Sequence, residues 1–449
     1  MSYRYFLFIL LAAMHMLSAL ADKQPKAPKD PDLLAAMGTE CLKRGDIAAA
    51  EHYYELGFKQ KRITTTIICL AGDIALAKND RQKADYYYGR AIYFDPRDET
   101  GYLHYVRMHQ QKEPALAVAK LRQLALYRDD CRTNHRIAEA WYAGNKVKEA
   151  AAAYDSIPRD SLSRQELVNY AMSAYLLRDY EKSASIVEHA RQQRPRDFIL
   201  NRLLMYNLTE MKQYDKAMSA AKQFFNSSDR HETDSIEAKG YSYLDYIYYG
   251  YILNAGGQYE EGIAQFNKAL TIQGGDRNDI LLAISKAYEK IGRYAQAVDY
   301  YKQYMEKLPA EEVTAFVVYE LGRLYYAQGT NEKETKELTP EKTEALHLAD
   351  HTFARVAQMR PDSYLGCYWQ ARTNVALDPE TTKGLAKPYY QRVIEMTEQK
   401  GGSQLTEAYK YLAYYFYVKK DWANTHKYID KILDIDPMDQ YALRLSNAI

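Results

Sequence analysis

Few residues in this chain have types and spacings suited to chemistry. His347 and His351 stand four apart with Asp350 between them, a spacing that turns two imidazoles toward one zinc ion on a helix face. No third ligand lies nearby and the pair falls on the outward side of its helix, so a solvated face is expected and no metal. Cys131 precedes His135 by one helical turn, the order of a thiol and its base, but acyl transfer also needs an orienting group and an oxyanion pocket. There is no Gly-x-Ser-x-Gly elbow, no phosphate loop ending in Gly-Lys-Ser/Thr, no dinucleotide glycine fingerprint and no HExxH. No catalytic residue or cofactor is expected, and the chain is read as a non-enzyme. The triplets Asp155-Ser156-Ile157, Asp160-Ser161-Leu162 and Asp234-Ser235-Ile236 resemble O-glycosylation acceptors of some bacterial envelopes, a match short enough to arise by chance. The abundant functional type is tyrosine, 44 in 449 residues, and its use depends on the elements that carry it.

Those elements repeat. Windows of about 34 residues begin at 31, 65, 98, 131, 164, 198, 243, 278, 315, 364 and 406. Slot eight is small in eight of them: Gly38, Gly72, Ala138, Ala171, Gly250, Gly322, Ala371 and Ala413. Tyr105 and Met205 break the rule in windows three and six. Slot twenty holds residues such as Ala50, Ala84, Ala117, Ala297 and Ala349, and four places later come rings such as Tyr88, Tyr154, Phe266, Tyr301, Phe353 and Tyr390. Several windows close on proline: Pro96, Pro195, Pro309, Pro361 and Pro437. Small residues let two antiparallel helices approach, the ring fills the gap beside them, and proline stops the second helix. Most of the tyrosines are therefore expected in the seams between helices.

The segment NDRQKADYYYGRAIYFDP, with Ala84, Tyr88, Ala91 and Pro96, resembles the second half of a tetratricopeptide repeat, and the same frame covers nearly the whole chain after the N-terminus. The resemblance implies an all-α fold, an α-solenoid with a right-handed superhelix built from about eleven helical hairpins. A single hairpin cannot offset roughly 1.5 kcal/mol of ordering entropy per residue, so neighbours must supply the missing burial. The regular step holds over 31–228, about six units. A charged insertion follows at 229–242. About five more units and a capping helix occupy 243–449, with further insertions at 330–343 and 378–383. The run NVALDPETTKGLAKPYY resembles a segment of exported tetratricopeptide proteins of diderm bacteria.

In the family, first helices line the concave groove through slots two, five, nine, twelve and thirteen. Transferred to this chain, those slots carry Tyr251 and Asn254, then Lys286, Glu289 and Lys290. They continue with Tyr319, Arg323 and Tyr326, with Tyr368 and Arg372, and with Lys410, Tyr414 and Tyr417. The candidate binding residues are Tyr251, Lys286, Tyr319, Arg323, Tyr326, Tyr368, Arg372 and Tyr414. Tyrosine offers contact area with few torsions to freeze, and arginine clamps carboxylates or stacks on rings, so the strip suits an extended peptide with acidic groups. The same tyrosines are equally suited to packing between helices. The first half offers a mixed groove of Thr39, Lys43, Asp73, His109, His135, Glu139, Tyr142 and Arg202. The asparagine and lysine set of the family's carboxylate clamp is not present.

Lys plus Arg number 60 against 59 Asp plus Glu, with no basic cluster, which disfavours nucleic-acid binding. Arg4, the apolar run Tyr5–Met14 and the small residues Ala19 and Ala21 read as a cleaved export signal over 1–21, too short to span a membrane. No cysteine marks a lipid-anchoring site, and a Pro/Lys leader at 22–30 follows. The mature chain is expected in the periplasm, without membrane insertion. Cys41, Cys69, Cys131 and Cys367 are too scattered for a disulfide framework. The expected function is a non-enzymatic exported scaffold that holds a protein or peptide partner in envelope assembly or secretion. The alternatives are a small-ligand receptor or hydrolase with a pocket built by the 229–242 and 330–343 loops, and a self-associating structural protein.

Overall fold

The computed structural model describes residues 28–128, 131–226, 240–272, 277–331 and 337–449. The expected signal at 1–21, most of the leader, residues 229–239 with the Asp234 triplet, and residues 332–336 of the second insertion lie outside the described residues. Among the described residues there are twenty-three α-helices, two short 3-10 turns and no strand.

Packing divides the chain into two compact units, 1–194 and 195–449. The first holds five hairpins: α1 (Pro31–Lys43) with α2 (Ile47–Phe58), α3 (Thr65–Ala77) with α4 (Arg81–Phe94), and α5 (Glu99–His109) with α6 (Pro114–Ala125). Then come α7 (Cys131–Ala143) with α8 (Val147–Asp155) and α9 (Arg164–Leu176) with α10 (Tyr180–Gln193).

The second unit begins with α11 (Phe198–Glu210) and α12 (Tyr214–Asn226), followed by α13 (Tyr243–Ala255) with α14 (Tyr259–Leu270) and α15 (Asn278–Lys290) with α16 (Tyr294–Glu306). It continues with α17 (Ala315–Gly329) and α18 (Pro340–Met359), α19 (Leu365–Leu377) and α20 (Lys387–Thr397), and α21 (Ser403–Val418) and α22 (Trp422–Ile435). The last helix, α23 (Gln440–Ser446), packs on α21 and α22. The expected insertion at 229–242 falls inside this unit.

The repeat slots perform the mechanical roles their types suggest. A Cβ built on Gly72, Gly250 or Gly322 would stand 2.3, 2.6 or 2.7 Å from the ring of Tyr88, Phe266 or Phe353. Each ring lies over its hairpin's slot-eight glycine, and all three are almost wholly buried. Where serine occupies a close-approach slot it hydrogen-bonds across the seam: Ser183 donates to the Ala171 carbonyl at 2.8 Å and Ser285 to the Ala297 carbonyl at 2.7 Å. In windows three and six, Tyr105 and Met205 are buried, so the hairpins accommodate larger residues at slot eight.

Local signals start and turn the helices. Asp30, Asp46, Asp80, Asp98, Asp179, Asp197, Asp421 and Asp439 accept from backbone amides at N-caps, satisfying donors that the first turn leaves unpaired. The turn inside a hairpin places slot fifteen in the left-handed region: Gly45, Asn79, Asn145, Arg178, Lys212, Gly257, Gly292 and Lys420 have φ between 55° and 79°. This recurring bend brings the second helix back against the first, and its glycine and asparagine members are a repeat signal beyond the small-residue and ring slots.

Candidate functional site

The first helices of the second unit carry the candidate residues in two clusters, with Tyr414 separate from both. One cluster is a cleft of about 600 Å³ between the α11–α12 turn, α13 and α15. Tyr251, Asn254, Lys286 and Lys290 line it, together with Leu244, Ile247 and Tyr248. Two consecutive units thus contribute their groove slots to one concavity. Tyr251 packs edge-on against Phe266 with ring centroids 5.1 Å apart. Burial, and then the nearby Asp279 carboxylate, raise its phenol pKa, so it stays a protonated donor at neutral pH. Tyr248 stacks on Tyr206 at 4.1 Å and donates to Glu210.

The second cluster centres on Trp369, a residue outside the expected groove slots. Its ring meets Tyr326 at 5.2 Å, Phe353 at 5.5 Å and Tyr319 at 5.9 Å, and the Arg372 guanidinium lies 5.2 Å over it. Tyr319, Tyr326 and Tyr368 are half-buried, so much of their ring area is used within the array. Trp369 is one of two tryptophans in first helices, the other being Trp141 in α7, and its residue type is the sequence hint of this hub.

Both candidate arginines are engaged. Arg323 binds Glu289 at 2.6 Å and Glu320 at 3.0 Å, and the hydrogen bond to Glu289 is the main reason its pKa is raised. Arg372 lies 3.5 Å from Glu407, which also accepts from Tyr368 at 2.7 Å and Tyr390 at 2.8 Å. Burial and this bond push the Tyr368 phenol up to about 12. These guanidiniums therefore serve as internal ties between neighbouring hairpins. Tyr414 is 37% exposed and stacks on Tyr417 at 6.3 Å, while Lys410 is paired with Asp439.

Three of the first unit's mixed groove residues, Asp73, His109 and His135, are engaged in the same inward way. His109 sits between Asp85 at 2.9 Å and Glu113 at 2.7 Å, and His135 meets Glu166 at 2.6 Å. Asp73 accepts from Tyr88 and contacts His104. His135 is thus turned to a carboxylate on the next hairpin, and Cys131 is exposed. His347 and His351 are both exposed, whereas Asp350 turns inward and accepts from Asn374 at 2.8 Å. All four cysteines are free thiols. Among the described residues, no helix is long and apolar enough to cross a membrane.

Stacked antiparallel hairpins with small residues at the crossing define a helical-repeat protein, an α-solenoid. Residues 279–306, which span nearly all of α15 and α16, match the family model described as "Tetratricopeptide repeat". The same frame recurs through both units, so the chain carries a tetratricopeptide repeat at 279–306 within an array of like hairpins. Among solved structures, it is similar to the C-terminal part of a TPR repeat-containing protein from Cytophaga hutchinsonii, at 25% identity over 62% of this chain and 98% of that one, with a TM-score of 0.45. A tetratricopeptide repeat protein from Parabacteroides merdae is 16% identical over 57% and 98%, with a TM-score of 0.36. YrrB, described as a TPR protein with an unusual peptide-binding site, is 17% identical over 47% and 95%, with a TM-score of 0.32. No curated protein matches the chain.

Proposed function

We propose that this chain is a non-enzymatic, exported scaffold that holds a protein or extended peptide on the first-helix face of its second unit, in the service of envelope assembly or secretion. The observation that carries this reading is the cleft shared by α13 and α15. It gathers Tyr251, Asn254, Lys286 and Lys290 from two consecutive repeats onto one concave surface, with aromatic and apolar walls beside ammonium groups that form no ion pair among the described residues. Concave sites that mix apolar area with a few polar groups are where binding is expected. The short apolar run and small residues at 1–21 support a periplasmic location for the mature chain.

A photo-crosslinking residue at position 251 tests the assignment in the native cell. A discrete protein adduct from position 251, absent when the same residue replaces exposed Leu348 on α18, is the expected result. Adducts of equal yield from both positions, or none from position 251, would remove the cleft from the function. N-terminal sequencing of the mature protein tests export, with Asp22 as the expected first residue. The volume of the cleft also lies in the range of small-molecule sites, which keeps a small-ligand receptor as the second reading. A thermal shift with one compound from a panel of sugars and nucleotides, and no protein adduct, would favour it.

A further inference from the structure

The lysines of the cleft lack the partners that the other cations of the strip possess. Arg323 and Arg372 are tied to carboxylates, and Arg277 at the rim holds Asp279 in two places. Lys212, Lys286 and Lys290 also line the cleft, and none of them forms an ion pair among the described residues. The one carboxylate in the lining, Glu210, already accepts from the Tyr248 phenol.

The reason lies one hairpin further on. Glu289 stands three residues after Lys286 and next to Lys290, within reach of Lys286 on an isolated helix. Arg323, reaching from α17, binds it at 2.6 Å instead. The pairing takes the negative charge out of the lysines' immediate surroundings and leaves the cleft cationic. Arg323 acts here as a positioning residue, through Glu289, without touching a ligand itself.

We propose that the cleft binds an extended acidic peptide segment, with two of its side-chain carboxylates on Lys286 and Lys290 and an intervening apolar side chain against Leu244, Ile247 and Tyr251. The spacing supports this occupant. Residues four apart on a helix are separated by about 6 Å along its axis, and alternate residues of an extended strand by about 6.6 Å. The two ammoniums thus match carboxylates at alternate positions, an acidic-x-acidic pattern. The inference rests on the reading that this face holds a partner, and it specifies that partner's chemistry.

The test uses the full mature chain and fluorescein-labelled heptapeptides, acetylated and amidated at their ends, that alternate leucine with glutamate or leucine with glutamine. Fluorescence anisotropy should show the glutamate peptide binding about tenfold or more tightly than its glutamine counterpart, and weakening as salt rises. Lys286→Gln with Lys290→Gln should abolish the difference, whereas Lys286→Arg with Lys290→Arg should retain it. Arg323→Gln should weaken binding several-fold by releasing Glu289 toward the lysines, and adding Glu289→Gln should restore it. A merely structural role for Arg323 predicts no such rescue. Equal affinity for both peptides, or glutamate binding that survives loss of both lysines, would overturn the proposal. So would equally tight binding of a glutamine peptide with a free C-terminal carboxylate, or of an eight-residue oligothymidylate. Each of these leaves the crosslinking result from position 251 to decide separately whether the face holds a partner.

Discussion

Arg202 lays its guanidinium flat along both carboxylate oxygens of Asp245, with Nε to Oδ1 and Nη2 to Oδ2 each 2.9 Å. Asp245 is fully buried and also accepts from Tyr206 and from the Ser242 amide, closing the capping box that starts α13. One carboxylate therefore joins α11 to α13, the first helices of consecutive hairpins. Arg202→Met keeps the contact with Phe198 and Phe224 but leaves the buried carboxylate without its cation. The expected cost is about 3–5 kcal/mol, measured by urea unfolding and by faster amide exchange in α13.

Glycines inside helices should respond to alanine in opposite directions according to what they face. Gly322→Ala drives a methyl into the Phe353 ring, which Trp369 backs at 5.5 Å, so the ring cannot simply move aside. A loss of about 1–3 kcal/mol is expected. Gly89, inside α4, has open space within 4 Å of the point where a methyl would stand, and Gly89→Ala should gain about 0.5–1 kcal/mol through helix propensity. Chemical denaturation of both variants checks the contrast.

The bend at slot fifteen predicts another gain. Arg178 holds φ at 62°, where a side chain crowds its own backbone. Arg178→Gly should stabilise the first unit by about 1 kcal/mol, the strain of the left-handed conformation less the entropy glycine adds to the unfolded chain. No change, or a loss, in thermal melting would show that Arg178 makes compensating contacts.

Acid should act on the first unit through Glu166. Burial raises its pKa, but the Ser163 hydroxyl and amide and the His135 ring outweigh burial, and the net direction is down from 4.5. A carboxylate lowered in the folded state contributes stability that is complete above pH 4.5 and is lost as pH falls through the folded value. Glu166→Gln can still close the capping box, so it removes mainly the charge. The variant should be about 1 kcal/mol less stable at pH 7, and the difference should shrink and vanish as pH falls from 4.5 through the folded value. A pH-independent difference in denaturation midpoint would show that the loss is steric.

Much of the array was legible along the chain. The windows beginning at 31, 65, 98, 131, 164, 198, 243, 278, 315 and 364 each fall within one residue of the start of a first helix, and only the last, at 406, is three residues late. That success reflects local physics: a small residue, a ring four places on and a terminating proline act within one hairpin, so their order along the chain carries the information. Gly322 and Phe353, or Gly72 and Tyr88, meet because the hairpin between them can fold in one way.

The state of the candidate site was not legible in the same sense. Tyr251 and Lys286 could be assigned to groove slots by their place in the repeat, but slots do not say which charges are already paired. A glutamate at 289 has lysines beside it in sequence and an arginine 34 residues away, at energies too similar for order along the chain to choose. Only the register between α15 and α17 brings Arg323 to Glu289, and packing between later hairpins sets Glu407 between Arg372 and two phenols and folds Trp369 into the middle of the tyrosines. Periodicity is a short-range property and was determined by the sequence alone. Charge pairing between repeats depends on distances that exist only once the helices have packed, and the tertiary structure decided it.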